Sequence, residues 1–289
     1  MQILTIVTPV FGVAAIGFFW VRLGQEFPTD FVTRFVTTVS LPALMFSVLV
    51  KAEIAPSALS AILLAAVLCH LANWFVFYLS LNAFGLDRPT YLAPLIFGNT
   101  GNMGLPLCLY AFGTAGLEYA VVVFAVSAIF MFSLGLALLS GRADWAKLMK
   151  DPVLWGTGLG LLFLVCDWSV PTSALNAISL IGQVAIPMVL VTLGATIARL
   201  PFAAVPQIAP LALFKILTSA SIAWGVAYLL DLSPLISSIL IMQMAAPVGV
   251  TSYLLAHAHR VNSEKVAGLV LGSTLLSMIT FPILLLFLL

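Results

Sequence analysis

The sequence predicts an all-α membrane protein of ten transmembrane helices, built as two five-helix halves of opposite orientation. Three observations lead to this prediction. The 289 residues are 63% hydrophobic and 7% charged, whereas a soluble domain has about 25% charged residues. The chain divides into ten apolar stretches of membrane-spanning length. Short sequence matches also recur in the same order in its first and second halves.

The spans follow from charged or Pro/Gly-rich breaks, since a bilayer core of roughly 30 Å needs about 20 apolar residues in a helix. They are 3–21, 31–50, 57–80, 91–112, 119–140, 152–167, 173–198, 207–230, 234–258 and 265–288. No segment remains for a soluble domain. We therefore predict a first repeat at 1–140, a cytoplasmic linker at 141–151 and a second repeat at 152–289.

Loop charge predicts the orientation, because basic residues near span ends stay on the cytoplasmic side. The loops after odd-numbered spans hold nine of the eleven Lys and Arg residues. These are Arg22, Arg34, Arg88, Arg142, Lys147, Lys150, Arg199, Arg260 and Lys265. The loops after even-numbered spans hold only Lys51. We expect both termini outside the cell.

The internal repeat appears when the chain is compared with itself at an offset of roughly 140 to 150 residues. NWFVFYL (73–79) aligns with AWGVAYL (223–229), and SLPALMF (40–46) resembles AIPMVLV (185–191). Because each half has an odd number of spans, the second half enters the membrane from the opposite face. An inverted repeat of this kind is typical of transporters that work by alternating access.

The fourth span is predicted to be broken, because FGNTGNMGLPL (97–107) puts three glycines, Asn99, Thr100, Asn102 and Pro106 at its centre. Pro removes a backbone donor and Gly weakens a helix. Backbone groups freed in this way persist in a membrane only where protein, water or substrate satisfies them. The alternative is close helix packing through small residues, with a kink at the proline.

The ninth span is interrupted at the corresponding depth, where MQMAAPVGVTSYLLA (242–256) contains Gln243, Pro247, Thr251 and Ser252. Paired interruptions in corresponding spans indicate a binding site at the membrane midplane. The N-termini of the half-helices direct partial positive charge at an anion. We predict that the two broken helices cross near Pro106 and Pro247 and that the substrate binds there.

Lys215 lies some eight residues into the eighth span, or roughly 12 Å at 1.5 Å per residue. A buried ammonium is costly unless it meets an anion or loses its proton. We interpret Lys215 as a counter-charge for the substrate or as a titrating coupling group. The alternative is a lysine that extends to the cytoplasmic interface. The apolar spans contain no Asp or Glu that would clearly pair with it.

His70 and Asn73 lie one turn apart on the third span. A proton-relay role for His70 competes with a role in hydrogen-bonded packing. His257 and His259 flank the end of the ninth span, where an interfacial, solvated position is favoured. The spacing of His, Cys and acidic residues supports no metal site, and we expect no cofactor.

Several segments together resemble the auxin efflux carrier family of bacterial and plant transporters, which includes the plant PIN-formed carriers. The segments are SLPALMF (40–46), FGNTGNMGLPL (97–107), DPVLWGTGLG (151–160), AIPMVLVTLGATIA (185–198), MAAPVGVTSYLLA (244–256) and STLLSMITFP (273–282). They cover nearly the whole chain.

This resemblance implies a crossover of broken helices 4 and 9, as in bile-acid symporters and sodium/proton antiporters. It implies a scaffold domain of spans 1, 2, 6 and 7, and a transport domain of spans 3 to 5 and 8 to 10. The two domains would move relative to each other as in an elevator. We also expect a homodimer through the scaffold domain, in the inner membrane of a bacterium.

The function predicted is secondary transport or uniport of a small organic anion, and the family resemblance implies a carboxylate. A proton is a candidate coupling ion. The alternatives are an anion channel and a non-transporting membrane sensor. An enzyme is disfavoured, because the sequence contains neither HExxH nor GxSxG and no P-loop. The net charge of +1 gives no indication of a nucleic-acid partner.

Overall fold

The architecture is all-helical. A computed structural model describes residues 2–140, 149–200, 205–259 and 261–289. Seven helical segments in these ranges are long and apolar enough to cross a membrane, and Pro152–Val165 and Pro234–Met244 are shorter apolar helices. The prediction of an all-α membrane protein is confirmed at this level. The count of ten spans and the inverted repeat stay predictions.

The first half contains helices α1 to α7. They are α1 (Gln2–Arg22), α2 (Thr29–Phe35), α3 (Leu41–Val50), α4 (Pro56–Phe84), α5 (Arg88–Ile96), α6 (Leu105–Phe130) and α7 (Leu136–Ser140). A π-helical turn at Val36–Ser40 joins α2 to α3, and one at Met131–Gly135 joins α6 to α7. A third, at Thr100–Gly104, leads into α6. The predicted second span is thus one helical segment with a local change of winding.

The second half contains helices α8 to α14. They are α8 (Pro152–Val165), α9 (Thr172–Gln183), α10 (Ala185–Ile197), α11 (Val205–Leu229), α12 (Pro234–Met244), α13 (Val250–Ala258) and α14 (Ser263–Leu288). The predicted seventh span is divided into α9 and α10 by a turn at Val184. Most of the predicted linker, with Arg142 and Lys147, lies outside the described residues, as does Arg260.

Gly113 divides the longest helical segment. Thr100–Leu138 is 39 residues long, which at 1.5 Å per residue would measure about 58 Å, nearly twice the hydrocarbon core. Gly113 has φ 69° and ψ −157° within α6, a combination that essentially only glycine adopts. The sequence predicts a loop at 113–118 between the fourth and fifth spans. The structure instead makes this break at one residue, because glycine tolerates the required backbone angles.

Helices α1 and α10 approach each other through glycines. A Cβ atom added to Gly17 would lie 2.0 Å from the Val191 carbonyl oxygen, and one added to Gly194 would lie 1.7 Å from that of Ala14. Helix α3 packs on α8 and α9. Small residues of this kind let helix backbones approach closely inside membranes.

The remaining long helices form a second group, in which α11 packs on α4, α12 and α14, and α12 packs on α6. Phe77 of α4 meets Phe214 of α11 edge to face at 5.9 Å between ring centroids. Large apolar side chains stay exposed on the outer surface, including Phe75 and Ile279. This pattern suits a surface that faces lipid.

Candidate functional site

Two interrupted helices cross at the centre of the molecule. Helix α5 ends at Ile96, and residues 97–99 continue without helical structure. Residues 245–249 likewise separate α12 from α13. Gly98 and Val248 form an isolated antiparallel bridge. The Asn99 amide donates to the Pro247 carbonyl at 2.6 Å, and the Gly249 amide donates to the Phe97 carbonyl at 3.2 Å.

The crossing lies at Gly98 rather than at Pro106, where the sequence predicts it. Pro106 lies at the start of α6, directly after the π-helical turn Thr100–Gly104, so a local change of winding rather than a break in the helix accompanies its missing N–H. A Cβ atom on Gly98 would lie 3.0 Å from the Ala246 carbonyl oxygen. The Val248 amide donates to Ser273 Oγ of α14 at 2.9 Å. Neighbouring protein groups thus satisfy backbone that the helix breaks have freed.

A cavity of about 270 Å³ lies beside the crossing. Residues 98–102 form one wall, and Gly249 and Thr251 belong to the other interrupted helix. The remaining walls come from α6, from the turn before α3 and from the start of α8. Pockets for drug-sized ligands have about 300–1,000 Å³. The cavity therefore suits a small molecule.

Two helix N-termini contribute to the walls of this cavity. One begins at Thr100 and continues into α6, and the other is the start of α13 at Val250. The first N–H groups of a helix have no intrahelical partner and carry partial positive charge. Asn99 precedes the first of these helices, and its side chain is only 6% exposed. Its Nδ2 group is buried and has no hydrogen-bond partner among the described residues, so the wall of the cavity contains a donor that the protein leaves unpaired.

Four of the residues predicted to bind substrate line the cavity. They are Asn99, Thr100, Asn102 and Thr251. The other four, Pro106, Gln243, Pro247 and Ser252, are not among its lining residues. Pro247 lies in the break itself, and Ser252 is buried in the first turn of α13. Substrate binding by all eight residues stays a prediction.

Gln243 packs on the turn that leads into α6 and does not line the cavity. Its Nε2 group donates to the Ala120 carbonyl at 3.4 Å, and its Oε1 atom has no partner among the described residues. A Cβ atom on Gly104 would lie 2.2 Å from this Oε1 atom. The amide therefore packs directly on the turn that follows Asn99.

Lys215 packs against the crossing but does not line the cavity. Its side chain is 0% exposed, and its ammonium donates to the carbonyls of Met244, at 3.2 Å, and Ala246. A Cβ atom on Gly98 would lie 3.2 Å from Nζ. This geometry does not fit a lysine that extends to the interface. Gly98 also lines the cavity, so the ammonium and the cavity are neighbours of the same residue.

His70 and Asn73 belong to the packed interior rather than to the cavity. The His70 ring stacks on Phe130 with centroids 5.1 Å apart, and its Nδ1 atom lies 2.8 Å from the Ala66 carbonyl oxygen. Asn73 Oδ1 accepts a hydrogen bond from Ser219 at 3.0 Å. These contacts match the packing alternative for His70. In the ranges that the structure describes, no three His, Cys, Asp or Glu side chains gather as metal ligands.

Several lining residues are missing from the sequence prediction, above all Asp151, Thr37 and Ser127. Asp151 is the one ionisable side chain among the described residues that line the cavity. Its carboxylate accepts from the Val153 and Leu154 amides at 2.8 and 3.2 Å and so caps α8. The Asp-Pro pair at 151–152 is a helix-start signal that could have located this cap. The sequence around Thr37 and Ser127 gives no signal that these residues line the cavity.

Comparison with known proteins places the chain in a family. The family described as "Membrane transport protein" matches residues 2–146 and 136–285. An "Uncharacterized transporter" of Methanothermobacter thermautotrophicus is 27% identical over 90% of this chain and 89% of its own length. A "Putative malonate transporter" of Rhizobium meliloti is 22% identical over 96% of this chain and 93% of its own length. The chain belongs to the auxin efflux carrier family of membrane transport proteins.

Proposed function

We propose that this protein is a secondary transporter of a small organic anion, a carboxylate, that works by elevator-type alternating access. One observation carries the proposal: two helix N-termini and the unpartnered amide of Asn99 meet in one small cavity beside the crossing. Helix N-termini bind carboxylates and phosphates through their free N–H groups and dipole. A neutral substrate would gain less from this arrangement.

The ammonium of Lys215 adds a field of the same sign. Its neighbour Gly98 lines the cavity, whereas Lys215 itself does not. Two unit charges about 6 Å apart interact by roughly 3 kcal/mol at an effective dielectric constant of about 20. In this proposal Lys215 attracts the anion without touching it, since its hydrogen bonds go to Met244 and Ala246.

The inverted repeat of ten spans is part of the proposal, and helix packing supports it. Helix α1 of the first half packs on α10 of the second, and α8 of the second half packs on α3 of the first. In the predicted repeat, α1 corresponds to α8, and α3 belongs to the span that corresponds to α9 and α10. Exchange of the two halves therefore turns one contact into the other.

The walls of the cavity come from both proposed domains. Asn99, Asn102 and Thr251 belong to the transport domain of spans 3 to 5 and 8 to 10, whereas Thr37 and Pro152 belong to the scaffold domain of spans 1, 2, 6 and 7. Sliding of one group along the other would carry the crossing across the membrane and expose the cavity on the opposite side. In the proposed orientation, this conformation faces the cytoplasm, because Asp151 ends the linker.

The proposal also covers the membrane, the oligomeric state, the coupling ion and the first substrate to test. We place the protein in the bacterial inner membrane with both termini outside, as a homodimer through the scaffold domain. A proton is the proposed coupling ion. Malonate is the first substrate to test, since one relative is named as a malonate transporter.

The test uses purified protein in liposomes. We expect saturable uptake of labelled malonate or another small dicarboxylate, with counterflow when the unlabelled anion is inside. Asn102→Ala should weaken binding about 10- to 100-fold, the range expected for a hydrogen bond to a charged group. Asn176→Ala, at an exposed position on α9, is the matched control and should behave as the parent.

Three outcomes would count against the proposal. Current proportional to driving force, without saturation or counterflow, would indicate a channel. Binding without movement of the anion would indicate a sensor. Unchanged binding and transport in both Asn102→Ala and Gln243→Ala would place the site elsewhere.

A further inference from the structure

The ammonium of Lys215 lies at the carbonyl end of an interrupted helix. Helix α12 ends at Met244, and the Lys215 ammonium donates to the Met244 carbonyl at 3.2 Å and to the Ala246 carbonyl in the break. The last carbonyls of a helix have no intrahelical partners and carry partial negative charge. The arrangement is a cation held by freed backbone oxygens.

The partners of Nζ favour the charged form. Among the described residues, the hydrogen bonds of Nζ all run to acceptors, the carbonyls of Met244 and Ala246. A neutral amine would bring a lone pair into this site with no donor to meet it, and an unpaired buried polar atom is costly. A helix C-terminus also stabilises a positive charge directly.

Carbonyls of this kind are the usual ligands of a coupling ion. In transporters with discontinuous helices, unwound carbonyls and half-helix C-terminal ends coordinate sodium or take part in proton coupling. A sodium site also benefits from a carboxylate, yet the buried polar side chains of the described chain include no Asp or Glu. The carbonyls around Nζ are oxygen ligands of the kind that a cation site uses. Among the described residues, no buried carboxylate supplies the negative charge that a sodium site would need.

We infer that the Lys215 ammonium is a tethered substitute for a coupling cation and makes both folding of the crossing and transport independent of sodium. The inference rests on the proposed function for its transport part. Lys215 then belongs to the structural frame of the crossing. Its ammonium neutralises the carbonyls at the end of α12, which would otherwise need an ion. The substrate then meets a crossing that is already charged.

Oxygen atoms near Lys215 would remain when its side chain is shortened. Ser219 lies one turn further along the same face of α11 and donates to Asn73 Oδ1 at 3.0 Å. The Asn73 amide in turn lies 4.0 Å from the sulfur of Met244. The carbonyls of Met244 and Ala246 also remain, and carbonyl, amide and hydroxyl oxygens are the ligands that a hard cation prefers.

The first experiment measures the parent protein. Its melting temperature and its malonate uptake are compared in sodium chloride, lithium chloride and choline chloride at equal ionic strength. We expect the same values in all three salts. A melting temperature or uptake rate that falls in choline would overturn the inference before any variant is made.

The second experiment removes the ammonium. Lys215→Ser leaves space beside the carbonyls, so we expect loss of stability and uptake in choline, with an upward shift of the melting temperature and recovered uptake in sodium or lithium. Lys215→Met removes the charge but fills the space, so neither cation should rescue it. Rescue of both variants, or of neither, would contradict the inference. Failure to purify Lys215→Ser in any of these salts would also contradict it.

The melting temperatures separate this inference from the proposed function, since they require no transported substrate. A salt-independent parent with a sodium-stabilised Lys215→Ser would support the tethered cation even if malonate were not carried. A parent that carries malonate but needs sodium would retain the proposed function and remove the inference.

Discussion

Gly17→Ala tests the packing of α1 on α10. The added Cβ atom would lie 2.0 Å from the Val191 carbonyl oxygen and 2.8 Å from the carbonyl carbon. Real contacts of this kind exceed about 3.0 Å, so the two helix backbones must separate by about 1 Å in an interior that is close-packed. Overpacking of this degree costs about 1–3 kcal/mol. Alanine has a higher helix propensity than glycine, which offsets up to about 1 kcal/mol of this cost.

The control is Gly12→Ala on the same helix, where an added Cβ atom meets nothing within 4 Å. This variant gains helix propensity alone, so its melting temperature should equal or exceed that of the parent. Gly17→Ala should melt several degrees lower, by fluorescence-monitored unfolding in detergent. Because α1 belongs to the proposed scaffold domain, malonate affinity should not change. Equal melting temperatures for the two variants would refute the close approach of α1 and α10.

Three further predictions concern the helix break at Gly113, the orientation of the chain in the membrane and the negative charge of Asp151 beside the cavity. Gly113→Ala should lower the melting temperature, because φ 69° with ψ −157° is strained for alanine. Gly158→Ala is the control, since an added Cβ atom meets nothing within 4 Å, and its melting temperature should equal that of the parent. Similar decreases in melting temperature for both variants would contradict the backbone angles of Gly113. Cys166 is exposed after α8, on the predicted outer side, so an impermeant maleimide should label it in intact cells. Labelling only after lysis would reverse the orientation, and Cys166→Ser gives the background. Asp151→Asn keeps a side chain that caps α8 and removes a negative charge from the cavity. It should bind malonate more tightly at an unchanged melting temperature, and weaker binding would show that Asp151 helps to hold the anion.

The helix breaks could be predicted from sequence because their cause is local. Glycine and proline occur in both the fourth and the ninth spans, and both residues weaken helical hydrogen bonding. The register of the crossing has no such local signal. It depends on which residue of one break pairs with which residue of the other, and Gly98 with Val248 is a long-range choice. Pro106 misled the prediction because the helix accommodates this proline with a π-helical turn at Thr100–Gly104 instead of breaking there.

The surroundings of Lys215 show the same limit. Its burial follows from its position in an apolar span. Its partners are backbone carbonyls of Met244 and Ala246, and a carbonyl is present at every residue, so no side-chain pattern marks the pair. Asp151 and Thr37 reach the cavity only through the packing of α3 and α8 on the rest of the molecule. Such convergence is a property of the tertiary structure.

The crossing of Gly98 and Val248 also affects how substrate preference can evolve within the family. Two main-chain hydrogen bonds join its two segments directly, and the side chains of Lys215 and Ser273 bind further backbone groups. The residues that face the cavity, such as Asn102, Ser127 and Thr251, contribute nothing to those two main-chain bonds. In the proposed transporter, substitution at these positions would change the molecule that is recognised and preserve the crossing. Proteins with the same crossing could then carry different substrates.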